Sequence, residues 1–108
     1  MARDNRKKNR LDVDQAVPVF NLHTDETMGH IVNITEHGFL LLSDFPIKQN
    51  KIFQFRFLIG EDPRNIELGA DSLWGELTME PEKYWTGFSI IDISEENQQR
   101  LFSFIREL

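Results

Sequence analysis

Three phenylalanines at every second position, Phe53, Phe55 and Phe57, constrain the fold of this chain most strongly. Gln54 and Arg56 stand between them, so one face of the segment is aromatic and the other is polar. Because successive side chains of a strand point to opposite faces, this alternation predicts a strand with one face on an apolar core.

Five other stretches have the composition of strands and are separated by turn-forming residues. They cover residues 12–22, 27–35, 38–43, 66–78 and 83–92. Ser94 then predicts the N-cap of a helix, in which four apolar residues recur at helical spacing. These are Leu101, Phe104, Ile105 and Leu108. The whole pattern predicts an all-β fold, a small six-stranded antiparallel β-barrel with a C-terminal α-helix over one open end.

The composition excludes several classes of protein. A chain of 108 residues forms one domain, and without cysteine it has neither disulfides nor zinc-thiolate sites. No apolar run approaches the ~20 residues of a membrane-spanning helix, and the N-terminus lacks the apolar segment of a signal peptide. We therefore expect a cytoplasmic protein without membrane insertion.

The net charge of −6 conceals a basic segment at the N-terminus. Residues 1–10 carry five basic residues and one acidic residue, a charge of +4, which leaves −10 for residues 11–108. Because the segment has little apolar surface to offset the entropy of ordering, we expect a flexible basic arm over residues 1–10 and the barrel with its helix over residues 11–108. The acidic body would repel a nucleic-acid polymer, whereas a small anion can contact the arm alone.

Residues 31–38 read Ile-Val-Asn-Ile-Thr-Glu-His-Gly and predict a strand that ends in a glycine turn. Strand alternation would put Asn33 and Thr35 on the outer face, and Val32 and Ile34 on the core face. The final glycine permits a positive φ or the close approach of another molecule to the backbone. Taken alone, the octet is more typical of a hairpin with polar residues facing water than of a binding platform.

Arg6 and Arg10 stand four residues apart in the arm, and Asn33-x-Thr35-x-x-Gly38 follows some two dozen residues later. Together, Arg-x-x-x-Arg and Asn-x-Thr-x-x-Gly resemble the two-part signature of the PilZ domain, a family that binds the bacterial second messenger cyclic di-GMP. The second motif of that family usually reads Asp/Asn-x-Ser-x-x-Gly, so Thr35 keeps the hydroxyl and adds a methyl group. The resemblance covers essentially the whole chain, including the last strand and the helix.

The resemblance implies five ligand-binding residues for cyclic di-GMP: Arg6, Arg10, Asn33, Thr35 and Gly38. A guanidinium can donate two hydrogen bonds to the O6 and N7 edge of guanine or to two phosphate oxygens. The family pattern implies a guanine contact at Asn33 and a phosphate or ribose contact at Thr35. Lys7, Asn9 and His37 are possible additional contacts. The family also implies a protein effector, with outputs in motility, exopolysaccharide or virulence.

Three other interpretations remain open. One is a PilZ-fold adaptor that interacts with proteins and does not bind the nucleotide. Another is a barrel that binds single-stranded nucleic acid through the arm and exposed aromatic residues. The arm taken alone is also typical of a solubilising tail.

Catalytic and metal sites have little support in the sequence. The serines lack a nucleophile elbow, and His23, His30 and His37 do not have the spacing of zinc ligands. We expect no catalytic residues, no metal and no cofactor other than the ligand itself. Trp74, Tyr84 and Trp85 are expected in the core or at the rim of the barrel, with stacking on the ligand as the alternative.

Overall fold

The computed structural model of the chain describes residues 11–59, 65–80 and 82–108, and only the backbone of residues 11–16. These residues form six strands followed by one helix. The elements are β1 (Leu11–Asn21), β2 (Thr27–Ile34), β3 (Gly38–Ser43), β4 (Ile52–Phe57), β5 (Ile66–Leu77), β6 (Tyr84–Ile93) and α1 (Glu95–Arg106). The five predicted strand ranges agree with these bounds to within one residue.

The strands pair antiparallel in the order β1-β2-β3-β6-β5-β4, and β4 returns to β1 to close the barrel. The closing seam is short, and it runs from the pair Val19 and Phe57 to the pair Asn21 and Phe55. The prediction of a six-stranded antiparallel barrel with a C-terminal helix is thus confirmed. The predicted basic arm lies outside the described residues.

The aromatic face of β4 forms the centre of the core. Phe55 and Phe57 are completely buried, and both contact Phe39 of β3 edge-to-face, with ring centroids 6.0 and 5.0 Å apart. Phe88 of β6 stacks on Phe39 at 5.0 Å and meets Phe55 edge-on at the same distance. Such aromatic pairs contribute about 0.5–1.5 kcal/mol each beyond the area that they bury. The burial of Phe55 and Phe57 confirms the predicted core face of β4.

Helix α1 packs on the barrel at the end where β6 finishes. The hydroxyl of Ser94 accepts a hydrogen bond from the backbone N–H of Asn97 (3.1 Å), which makes Ser94 the predicted N-cap. The side-chain oxygen of Asn97 accepts one from the backbone N–H of Glu67 at the start of β5 (3.0 Å). Leu101 is buried against the core. Within the described part of the chain, no helix has the length and apolar character that crossing a membrane requires.

The loop between β3 and β4, residues 44–51, packs at the opposite end of the barrel. Its Ile47 is buried with the core residues. The hydroxyl of the buried Ser72 donates to the carbonyl of Lys48 (2.6 Å) and accepts from the backbone N–H of Lys51 (3.0 Å). A strand side chain therefore holds this loop in place.

Candidate functional site

Strand β2 departs from the alternation that its sequence predicts. Its buried residues, Met28, Ile31 and Ile34, recur at every third position, while Val32 is only half-buried. The register with β3 shifts by one residue between Ile31 and Asn33, so Val32 is the extra residue of a β-bulge. The prediction that Val32 shares the core face with Ile34 is therefore wrong, because the bulge changes which side chains face inward.

A single cross-strand row connects Asn33 with three neighbours on the outer surface of the barrel. Asn33 pairs with Leu40 of β3, Leu40 with Gly87 of β6, and Gly87 with Trp74 of β5. Because residues directly opposite one another present side chains on the same face, Asn33 and Trp74 stand at the two ends of this row. A Cβ atom at Gly87 would overlap the indole of Trp74, so the missing side chain leaves the space in which the indole lies.

This row forms one wall of a surface depression of about 260 Å³ beside the turn between β2 and β3. The lining includes Asn33, Thr35, His37 and Gly38. The structure thus brings together all predicted ligand contacts that lie within the described residues. The others, Arg6, Lys7, Asn9 and Arg10, lie outside the described residues.

The hydroxyl of Thr35 closes the turn. Its oxygen accepts hydrogen bonds from the backbone N–H groups of His37 (3.0 Å) and Gly38 (3.1 Å). The backbone N–H of Thr35 donates to the carbonyl of Gly38 (2.8 Å). Hydroxyl side chains commonly stabilise turns in this way. A serine oxygen would serve equally, so this position of the motif has a structural role as well as the expected ligand role.

Gly38 is needed because another strand approaches its backbone. It is not among the described residues with positive φ, so the turn does not require a left-handed glycine at this position. Gly38 pairs with Ser89, and a Cβ atom would overlap the carbonyl oxygen of Phe88. The close approach that the glycine permits is therefore that of β6, within the fold itself.

We predict that Gly38→Ala lowers the free energy of unfolding by about 1–3 kcal/mol, the usual range for overpacking. The added methyl group meets a backbone carbonyl, which can move only together with its strand. Urea unfolding followed by circular dichroism measures the change. Gly75→Ala is the matched control, because a Cβ there finds its nearest neighbour at 3.4 Å, an ordinary contact. Equal stability of the two variants would contradict this explanation of Gly38.

Trp74 and Ser89 also line the depression, although the sequence pattern does not predict them as site residues. Trp74 is 42% exposed, and it reaches this surface after a shift in the register of β5 with β6. The shift lies between Ser72 and Trp74, which makes Leu73 the extra residue of a second bulge. Since a bulge depends on which strands pair, periodicity along one strand does not reveal it.

The described lining supplies hydrogen-bonding groups and an aromatic surface, but it contains no lysine or arginine. Its one ionisable side chain is His37, and the partner of Ser89 on β5 is the acidic residue Asp71. Among the residues that the structure describes, no three His, Cys, Asp or Glu side chains cluster closely enough to hold a metal ion. An anion bound here would need positive charge from another part of the chain.

The start of β1 lies next to the depression. Leu11, the first residue of that strand, pairs with Ile34, and Asp12 pairs with Asn33. Residues 1–10, with their charge of +4, are joined to the barrel at this point.

Comparison with known proteins agrees with this architecture. The family model described as PilZ domain matches residues 4–107. Among solved structures, the chain is similar to the Bacillus subtilis inhibitor of motility MotI/DgrA, with a TM-score of 0.72 and 19% sequence identity. The match covers 92% of this chain and 48% of that one, so the chain spans about half the length of its structural neighbour. No curated protein matches the sequence significantly.

Proposed function

This chain belongs to the PilZ domain family, and we propose that it is a receptor that binds cyclic di-GMP and signals to a protein effector. PilZ domains are receptor and adaptor domains and not enzymes. A receptor for a messenger made inside the bacterial cell would act in the cytoplasm, and the proposal includes that location.

The observation that carries the proposal is the pairing of Leu11 with Ile34 beside the depression. Arg10 directly precedes Leu11 in the sequence, and Arg6 is five residues from it. Five residues of extended chain reach at most about 17 Å. Both guanidiniums are therefore within reach of a ligand in the depression. This supports the arm as the source of the positive charge that the described lining lacks.

Three of the lining residues have a chemistry suited to one part of the ligand each. The side chain of Asn33 lines the depression, and its amide can both donate to and accept from a guanine edge. The oxygen of Thr35 accepts from the turn, while its O–H group has only a long contact with the carbonyl of Gly38 (3.4 Å) and can turn toward a phosphate. The half-exposed indole of Trp74 offers a surface for a base, and such stacking contributes about 1–3 kcal/mol.

The size of the depression suggests how binding could change the protein. Its volume of about 260 Å³ lies below the range of about 300–1,000 Å³ that is usual for ligand pockets. We propose that the arm completes the site by closing over the ligand. Closure would change the surface that an effector contacts. The arm then contributes to the affinity for the ligand and to the change that the effector detects, while ordering of the arm costs conformational entropy.

Calorimetric titration of the full chain with cyclic di-GMP is the test, with GMP as the control ligand. We expect saturable binding of the cyclic dinucleotide that weakens as salt rises, and much weaker binding of GMP. A titration without heat would favour the adaptor that works without the nucleotide. Strong binding of a single-stranded oligonucleotide in place of cyclic di-GMP would favour the nucleic-acid interpretation.

We predict that Asn33→Ala weakens cyclic di-GMP binding by about 1–3 kcal/mol, the value of one base-directed contact. The thermal stability should remain nearly unchanged, because Asn33 is not one of the buried core residues of β2. Ile34→Ala is the control with the opposite expectation, since Ile34 is completely buried and its truncation leaves a cavity. If Asn33→Ala unfolds the chain while Ile34→Ala does not, the assignment of faces in β2 is inverted.

The effector is a separate part of the proposal. The family resemblance suggests outputs in motility, exopolysaccharide or virulence. Because the structural neighbour is named as an inhibitor of motility, we propose motility as the first output to measure.

A further inference from the structure

The second half of β5 has a strand neighbour on one side only. The backbone of Ser72 makes the last hydrogen bonds toward β4. Its carbonyl accepts from the backbone N–H of Asn50 (2.6 Å), and its N–H donates to the carbonyl of Lys51 (2.9 Å). Beyond it lies the bulge residue Leu73, and residues 74–77 then pair with β6 alone. Within the part of the chain that the structure describes, these residues form an open edge of the sheet.

The hydrogen-bonding groups of this edge can be assigned from the neighbouring turn. The backbone N–H of Thr78 donates to the carbonyl of Lys83 (3.0 Å), so these two residues form a hydrogen-bonded pair. Since such pairs alternate along an antiparallel ladder, the N–H and C=O groups of Gly75 and Leu77 point away from β6. No described residue makes a hydrogen bond with them. Unpaired groups of this kind are a template for a further strand.

A groove of about 230 Å³ runs beside the edge, between β5 and the loop that follows β3. Gly75 and Leu77 line one side of the groove, and Pro46 and Ile47 line the other. Leu77 is 65% exposed, and Met79, just beyond the strand, is fully exposed. The space beside the edge is therefore mainly apolar and open to an added chain.

The edge is acidic. Residues 73–82 contain Glu76, Glu80 and Glu82 and no basic residue. The nearby ammonium group of Lys83 is engaged by the carboxylate of Asp44, whose hydrogen bond raises the pKa of Lys83. The facing loop, residues 44–51, contains two basic residues, Lys48 and Lys51, and neither of them lines the groove. Because the barrel as a whole carries −10, charge disfavours a second copy here and favours a basic partner.

We propose that residues 73–77 of β5 are a docking edge for an extended segment of a protein partner, in which apolar residues alternate with lysine or arginine. The segment adds to the sheet as a strand and bonds to the backbone of Gly75 and Leu77, which provides affinity. Its apolar side chains enter the groove against Leu77 and Ile47, and its basic side chains lie near Glu76. Alternation follows because successive side chains of the added strand point to opposite faces. The proposal does not depend on nucleotide binding.

The test is a selection of random linear peptides for binding to the full chain. The selected peptides are then synthesised and titrated into the isotope-labelled chain, with NMR as the readout. We expect the selected peptides to alternate apolar and basic residues, and to slow amide exchange at Gly75 and Leu77. Glu76→Lys should weaken their binding on the order of tenfold, because it places like charges together. Glu67→Lys is the matched control. It makes the same change on the same strand where β5 is paired with Arg56 of β4, and it should leave binding unchanged.

Several results would overturn the proposal. One is a selection that yields no binding peptide. Another is a set of selected peptides that lack basic residues or lack the alternation. A third is equal affinity of the peptides for the Glu76→Lys and Glu67→Lys variants. Amide protection outside the edge would place the peptide elsewhere. Protection of Gly75 and Leu77 that grows with protein concentration in the absence of peptide would show that a second copy occupies the edge.

Discussion

Arg6→Ala and Arg10→Ala should each nearly abolish the binding of cyclic di-GMP, and the double variant should be little worse than either single variant. Each guanidinium can form two hydrogen bonds with guanine or phosphate, each such contact being worth about 1–3 kcal/mol. Each also helps to order the segment that the other needs, so the two losses should not add. Calorimetry on the two single variants and the double variant completes the thermodynamic cycle.

Lys7→Ala is the matched control in the same segment, with an equal change of charge. It should weaken binding less, because an ammonium group cannot form the bidentate contact of a guanidinium. Amide exchange over residues 3–11 should be fast in the free protein and slow in saturating ligand, since binding and ordering are coupled. Arginine variants that bind cyclic di-GMP as well as the wild-type chain would disprove the proposed role of the arm in binding.

Leu101→Ala should lower the free energy of unfolding by about 2–5 kcal/mol, the range for truncating a buried leucine. Leu101 is 1% exposed and is the residue through which α1 enters the core. Small domains are stable by only about 5–15 kcal/mol, so this change would remove a large part of the total. Urea unfolding followed by tryptophan fluorescence and by circular dichroism measures it.

Leu108→Ala provides the control, because it removes the same atoms from a residue that is 45% exposed beyond the end of α1. Its effect should be within the error of the measurement. If the two variants unfold at the same urea concentration, the helix is an accessory to the barrel and not part of its core.

Much of the fold could be predicted because it depends on patterns that are local in the sequence. The alternation of Phe53, Phe55 and Phe57 identifies β4 and its buried face without knowledge of any partner strand. The capping side chain of Ser94 and the apolar spacing that includes Leu101 identify α1 in the same way. Within each element the period of the backbone decides which residues share a face.

The candidate site was predictable only in part. The motif positions Asn33, Thr35 and Gly38 do line one depression, as expected from their closeness in the sequence. The reason for Gly38 was not predictable, because the atom that a side chain would meet belongs to Phe88 on another strand. Whether the arm residues bind the ligand stays a prediction.

The sequence by itself determined the order of the elements, the barrel class, the aromatic core and the polar motif at the end of β2. Only the tertiary structure decided that Val32 and Leu73 are bulge residues. It alone decided that Trp74 lies over Gly87 at one end of a row that begins at Asn33. The physical reason is that secondary structure follows from the period of one chain segment, whereas register and bulges follow from the pairing of two.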